Sequence, residues 1–297
     1  MSSIIPFDKR DGFIWYNGEL VEWPNATTHI LNHGLHYGSC VFEGIAVYNN
    51  KIFKLKEHSQ RLIDSAKLLD FDIPYSLEEL MSATSEIVQV QKVDNGYIRP
   101  FAWRGSEQMA ISAKDNSTNV AIATWKWPPY FSAEAKLNGI DMVFAKYSRP
   151  SPETAPTASK AAGLYMICTY SKHTAERKGY TEAIMLDYRG YIAEATCANM
   201  FFIINDELHT PIADCFLNGI TRQTVISLAK ENGIKVVERH IKPTELEYVQ
   251  DAFLTGTAAE ITRVNSITDE KSDKKYNFSK HPITLKLSDL YYQEIEK

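Results

Sequence analysis

The sequence predicts two mixed α/β domains rather than a regular alternation of strands and helices. Three observations carry this. Hairpin signals crowd the first part of the chain, a proline-rich break occurs at KWPPYFSAE (126–134), and a second alternating pattern starts at GIDMVFAKY (139–147). The expected boundaries are a small N-terminal α/β domain over 1–125, a linker over 126–134 and a larger C-terminal domain over 135–297. A length of 297 residues suits one large or two ordinary domains and allows a sizeable core.

The elements follow in order. FIWYNGELVEW sets Asn17-Gly18 between two apolar runs, a strong hairpin signal. VFEGIAVYNNKIFKL repeats the pattern with Asn49-Asn50 at the turn. A helix is expected from about Lys56 to Leu69, because Leu62, Ala66 and Leu69 share a face with Ile63 beside them. SLEE, Ser76 to Glu79, is the capping box of a second helix. GYIRPFAW (96–103) and NVAIATW (119–125) are strands. Beyond the linker, a helix follows Lys160 to Arg177. EAIMLDYRGYIAEAT (182–196) is strand, turn and strand, NGITRQTVISLAKENGIKVVERHI (218–241) is loop, helix and strand, and AFLTGTAAEITRV (252–264) is strand, turn and strand. Gly233 stops the middle helix, and the last helix starts near His281.

Bulk properties narrow the function. The net charge is −5 with no dense Lys/Arg block, which argues against nucleic acid or an anionic membrane as main partner. The first residues, MSSIIPFDKRDG, lack a signal-peptide apolar run, and the longest apolar runs are too short to span a bilayer. Cys40, Cys168, Cys197 and Cys215 form no CxxC and no zinc spacing, so free thiols and a cytoplasmic location are expected.

Several stretches carry candidate chemistry. In PTASKAAGLY, Lys160 sits among Ala, Ser and Gly. It is either an ordinary loop lysine or an approachable, desolvated nucleophile. NGITR places Gly219, Ile220 and Thr221 at a helix start, where backbone N–H groups suit a phosphate and the threonine equally suits a cap. TGTAAE, Thr255 to Glu260, is either a hairpin turn or an anion-holding nest. Glu194 lies between Ala193 and Ala195, which calls for a buried ion pair or a functional partner. Arg61 is a surface residue or an anion clamp. His33 and His36 lack a third ligand at suitable spacing, so no metal is expected and NHGLHYGSCVFEG (32–44) is taken as an aromatic pocket wall. Tyr97 and Arg99 in YIRP share a strand face, able to bind a carboxylate or to form a structural ion pair.

Together HYGSCVFEGI, YIRP, ASKAAGLY, EATCANMFF, NGITR and GTAAEI form an ordered set across nearly the whole chain. In that set the sequence resembles the class IV aminotransferases, the pyridoxal-phosphate enzymes of fold type IV, and within them the bacterial branched-chain amino acid aminotransferases. The resemblance implies a small N-terminal domain and a larger pseudo-barrel C-terminal domain carrying the cofactor lysine. It implies pyridoxal 5'-phosphate as cofactor and ping-pong transfer between leucine, isoleucine or valine and 2-oxoglutarate. Lys160 matches the lysine that bonds the cofactor aldehyde, Tyr165 the partner of the ring hydroxyl, and Glu194 that of the ring nitrogen. Arg61, Gly219, Ile220, Thr221 and Thr257 match the phosphate cradle. Tyr97, Ala258 and Ala259 match groups at the substrate α-carboxylate, and Arg99 the arginine for glutamate's distal carboxylate. Phe42, Tyr37, Trp127, Tyr130 and Ile111 match the apolar pocket, with Tyr37 and Ile111 reaching in from a partner subunit. A homodimer, or a higher homo-oligomer, follows. Alternatives are a D-amino acid aminotransferase, an aminodeoxychorismate lyase, or a non-catalytic cofactor-binding protein on the same fold. Three places depart from the family: Ala195-Thr196-Cys197-Ala198 where glycine and an acidic residue are common, Asn218 in place of proline, and an extra Arg104.

Overall fold

The computed structural model describes residues 5–127, 135 and 138–297. Most of the expected linker, including Tyr130, lies outside the described residues. The chain divides into two compact units: Met1–Pro128 with Ser159–Gly163, and Pro129–Ala158 with Leu164–Lys297. Lys160, expected in the C-terminal domain, therefore packs with the N-terminal unit. The physical reason is long-range backbone pairing: Val41 bridges Ala161, and the Phe42 N–H donates to the Lys160 carbonyl at 3.2 Å.

The N-terminal unit is built on a seven-stranded sheet. β1 (Phe13–Tyr16) and β2 (Glu19–Glu22) form the first hairpin. Asn17 and Gly18 have φ of 49° and 96°, the left-handed pair that a two-residue turn needs. β4 (Ile45–Tyr48) and β5 (Lys51–Ile52) form the second, again with positive φ at Asn49 and Asn50. β6 (Gly96–Arg104) and β7 (Thr118–Lys126) are the long central strands, giving the order β2-β1-β7-β6-β4-β5. The segment 32–44, taken as a pocket wall, holds two elements: α1 (His33–Tyr37) and β3 (Cys40–Phe42), which pairs with β6. α2 (Leu55–Lys67) and α3 (Leu77–Val90) supply Leu62, Ala66, Leu80 and Ile87 to one core with Ile98 and Ile122 of the sheet. Burying each such Leu or Ile side chain contributes about 1.5–3 kcal/mol. The predicted Ser76–Glu79 capping box opens α3.

The C-terminal unit carries a nine-stranded sheet. Its strands are β8 (Ile140–Phe144), β9 (Glu182–Leu186), β10 (Ile192–Ala195), β11 (Asn199–Ile204), β12 (Glu207–Thr210), β13 (Val236–Glu238), β14 (Asp251–Gly256), β15 (Glu260–Asp269) and β16 (Lys274–Asn277). The order β10-β9-β8-β15-β14-β11 closes because β10 also pairs with β11, which produces the expected barrel. Ile140, Met142, Ile184, Met200, Leu254 and Val264 pack in its core. The unit also carries α4 (Met166–Arg177), α5 (Ile220–Glu231) and α6 (Pro282–Glu296). Gly233, just past α5, has φ of 72°, the conformation of a helix stop. Among the described residues no helix is long and apolar enough to cross a membrane.

Candidate active site

In the N-terminal unit the lysine segment is tied to α2 and β3. The Lys160 N–H donates to the Ser65 hydroxyl at 3.0 Å, and the Ser159 hydroxyl donates to the Ser65 carbonyl at 2.9 Å. Gly38, which packs beside Gly163, has φ of 72°, so its backbone favours glycine, while a Cβ there would make only an ordinary 3.6 Å contact with the Gly163 Cα. The Lys160 ammonium sits 5.0 Å from the centre of the Phe42 ring. Burial, then Arg61, pushes its pKa below the ordinary 10.5, against the opposing pull of Glu43 and Tyr97.

Arg61 on α2 is not a surface residue. Its Nε and one terminal nitrogen donate to the two Glu43 oxygens at 2.5 and 2.8 Å. Glu43 is fully buried, and its Oε2 also accepts from His58 Nδ1 at 2.6 Å and from the Gly44 N–H at 3.2 Å. Burial alone raises a carboxyl pKa, but Arg61 and His58 outweigh it and hold Glu43 well below the usual range. Burial lowers the pKa of His58, favouring the neutral imidazole.

Arg99 differs from Arg61. It is half-buried, its Nε has no hydrogen-bond partner, and among the described residues it forms no ion pair. Its guanidinium donates to the Tyr97 hydroxyl at 3.1 Å and lies 4.6 Å from the centre of the Phe42 ring. Trp127 meets Tyr97 edge-on at 4.5 Å. A Cβ on Gly44 would sit 1.9 Å from the Tyr97 hydroxyl, so any other residue here would displace the Tyr97 ring.

In the C-terminal unit Glu194 is buried on β10. Arg149 Nε lies 3.3 Å from its Oε1, and Asn199 Nδ2 donates to its Oε2 at 3.3 Å. The Arg149 contact lacks hydrogen-bond alignment and is chiefly electrostatic. Arg149 itself is buried and also donates to the Cys168 sulfur at 3.5 Å. Gly219 caps α5, with Ile220 and Thr221 as its first, buried residues. Thr257, Ala258 and Ala259 form the β14–β15 turn, and the Thr255 hydroxyl before it is buried with no hydrogen-bond partner. Tyr165 stands half-buried at the start of α4.

Residues 40–267 match the family model described as amino-transferase class IV. The chain belongs to that family. It is 43% identical over 280 residues to a probable branched-chain-amino-acid aminotransferase of Rickettsia bellii, covering 94% of each chain. The branched-chain amino acid aminotransferase structure from Escherichia coli superposes with a TM-score of 0.90 at 37% identity, covering 96% of this chain and 94% of that one. A T.th. branched-chain amino acid aminotransferase complexed with N-(5'-phosphopyridoxyl)-L-glutamate gives a TM-score of 0.89 at 33% identity, over 96% and 94%.

Within this class IV aminotransferase, the structure brings Lys160, Arg61, Phe42, Tyr97, Arg99 and Trp127 into one unit, and Tyr165, Glu194, Gly219, Ile220, Thr221, Thr257, Ala258 and Ala259 into the other. Tyr37 is 46% exposed and Ile111 83% exposed, so neither is buried within the chain. His33 is occupied structurally: its ring nitrogens contact the Ser39 hydroxyl at 2.9 Å and the Ala110 carbonyl at 3.0 Å. The departures from the family are accommodated. None of Ala195 to Ala198 has positive φ, so this turn does not need glycine. Asn218 accepts from the buried Arg222 at 2.8 Å, and Arg104 bonds the Asp70 carbonyl. Sequence reasoning missed Glu43, His58, Arg149 and Asn199. Glu43 had a signal, being a carboxylate inside the apolar run VFEGIAV, whereas Arg149 in a loop-like SRPSP had none.

Proposed function

We propose that this enzyme transfers amino groups between leucine, isoleucine or valine and 2-oxoglutarate, with pyridoxal 5'-phosphate as cofactor, in ping-pong fashion. The observation that carries this reading is Arg99: a half-buried guanidinium with no carboxylate partner among the described residues, resting on the same Phe42 ring that the Lys160 ammonium approaches. An apolar wall with one cation suits substrates that are alternately branched hydrocarbon and glutamate. The names of the related enzymes, and the phosphopyridoxyl-glutamate in the T.th. structure, support the same reading.

The residues present fit the cofactor. Lys160 offers an amine with a depressed pKa, and the start of α5 offers backbone N–H groups suited to phosphate. When bound, pyridoxal 5'-phosphate supplies an aldehyde and an electron-accepting ring. Lys160 holds it and, once released, its Nζ takes and returns the substrate α-proton. Glu194 holds a proton at the ring nitrogen, and Tyr165 donates to the ring oxygen. Gly219, Ile220, Thr221, Thr257 and Arg61 hold the phosphate. Tyr97, Ala258 and Ala259 orient the α-carboxylate, and Arg99 receives the distal carboxylate of glutamate. Phe42 and Trp127 line the apolar side, joined by Tyr37 and Ile111 of a second copy in a homodimer. The four free cysteines accord with a reducing, cytoplasmic setting.

Borohydride reduction with bound cofactor, followed by peptide mapping, should label Lys160, and leucine should outpace D-alanine as donor to 2-oxoglutarate. A label on another lysine, or D-alanine as the better donor, overturns the reading.

A further inference from the structure

Asn199 opens β11 and is 5% exposed. Its backbone pairs with Glu194 on one side and Thr255 on the other. The side chain makes three hydrogen bonds. Nδ2 donates to Glu194 Oε2 at 3.3 Å and to the Leu217 carbonyl at 3.0 Å, and Oδ1 accepts from the Gly219 N–H at 3.1 Å. Only one amide orientation satisfies all three, because two partners are acceptors and the third is a donor. No other side chain of this size offers two N–H donors and an acceptor from one planar group. Aspartate would place a carboxylate against the Glu194 carboxylate and the Leu217 carbonyl.

Gly219 is matched to this amide. Its φ of −59° is ordinary, so the backbone does not require glycine there. A Cβ at 219 would lie 2.2 Å from Asn199 Oδ1. Close approach of the amide, not an unusual backbone conformation, disfavours a side chain at this position, since a Cβ would force the amide to shift. One buried side chain thus joins the Glu194 carboxylate to the first residues of α5.

We propose that Asn199 is a positioning residue that fixes the Glu194 carboxylate and the α5 N-terminus at one spacing, so that ring-nitrogen and phosphate recognition act as a unit. This rests on the functional reading above, in which Glu194 serves the ring and Gly219 to Thr221 serve the phosphate. A rigid link means that either end, once filled, holds the other in its binding geometry. Loss of the amide lets the two ends adjust separately, and the phosphate should suffer more than the ring.

The full chain, freed of cofactor, is titrated with pyridoxal 5'-phosphate and with pyridoxal, which lacks the phosphate, and inorganic phosphate is used as competitor. Wild type is compared with Asn199→Ala and with Gly219→Ala, which crowds the same bond from the other side. Both variants should lose about tenfold in affinity for pyridoxal 5'-phosphate, with a smaller loss for pyridoxal. Glu194→Gln should weaken phosphate competition about twofold in the wild-type background and leave it unchanged in Asn199→Ala. Should Asn199→Ala fail to fold, judged by circular dichroism, Asn199→Ser keeps a small polar group, adds no charge beside Glu194 and is too short to bridge both ends, so it is expected to give the same split. Equal losses for the two aldehydes, or an undiminished Glu194→Gln effect without the amide, overturn the proposal. Wild type that binds pyridoxal 5'-phosphate at Lys160 while every variant matches it overturns the Asn199 role alone. Wild type that binds it at no lysine overturns the functional reading and this role with it.

Discussion

Glu43 in the N-terminal unit and Glu194 in the C-terminal unit are both buried carboxylates beside an arginine, yet they are held differently. Glu43 meets Arg61 and His58 at 2.5 to 2.8 Å and takes a backbone N–H as well. Glu194 meets Arg149 and Asn199 at 3.3 Å each, the first without good alignment. Two charges removed from water stabilise a fold only when geometry and hydrogen bonds compensate their desolvation. Glu43 meets that condition and serves as a clamp for Arg61. Glu194 is held less tightly by its arginine, which lies at 3.3 Å without hydrogen-bond alignment. Arg99 marks the other extreme, a guanidinium with no carboxylate among the described residues.

Glu43→Gln should break the tighter cluster and show the largest effect. Arg61 would lose its charge partner, and removing one member of a buried pair costs about 3–5 kcal/mol. Thermal unfolding of the cofactor-free chain measures it. The Glu43 pKa is depressed below 4.5, so its contribution is complete above that pH and fades as pH falls toward the folded value. The variant's deficit should therefore be full at neutral pH and narrow in strong acid. A melting temperature equal to wild type at pH 7 would mean that Glu43 is no clamp.

Arg99→Ala should leave the fold intact and discriminate substrates instead. Glutamate would lose about 1.5–3 kcal/mol of pairing at its distal carboxylate, about ten- to a hundredfold in kcat/KM, whereas leucine should change little. Half-reactions followed by cofactor absorbance measure both. Equal losses would assign Arg99 to the α-carboxylate or to structure, and remove it as the third member of the comparison.

Glu194→Gln sharpens the comparison at its small end. Its longer contacts predict a stability loss of about 1–2 kcal/mol, less than for Glu43→Gln. Its main consequence should be slower α-proton removal from leucine in single turnovers. Matching melting-temperature losses for the two glutamates, with an unchanged proton-removal rate, would erase the functional distinction between them.

Much of the fold was legible because its signals are local. The Asn17-Gly18 and Asn49-Asn50 turns tolerate positive φ, the Ser76–Glu79 box caps its own helix, and Gly233 ends α5 by its own backbone. The segment 32–44 was less legible, since a five-residue helix and a three-residue strand are too short to show a period. Lys160, Glu194 and Arg61 were singled out in the sequence. Their partners were not. Glu43 reaches Arg61 across 18 positions, Arg149 is 45 residues from Glu194, and Ser65 is 95 from Lys160.

The sequence by itself determined where the chain turns, which faces are apolar and which residues could carry chemistry, because φ preference, periodicity and side-chain type are properties of neighbouring residues. The tertiary structure alone decided that Lys160 packs with the N-terminal unit, that Arg61 is clamped while Arg99 is not, and that Asn199 joins Glu194 to Gly219. Those outcomes depend on strand pairing and on distances of a few ångströms between distant segments. Hydrogen bonds and ion pairs fall off too steeply with distance for spacing along the chain to encode them.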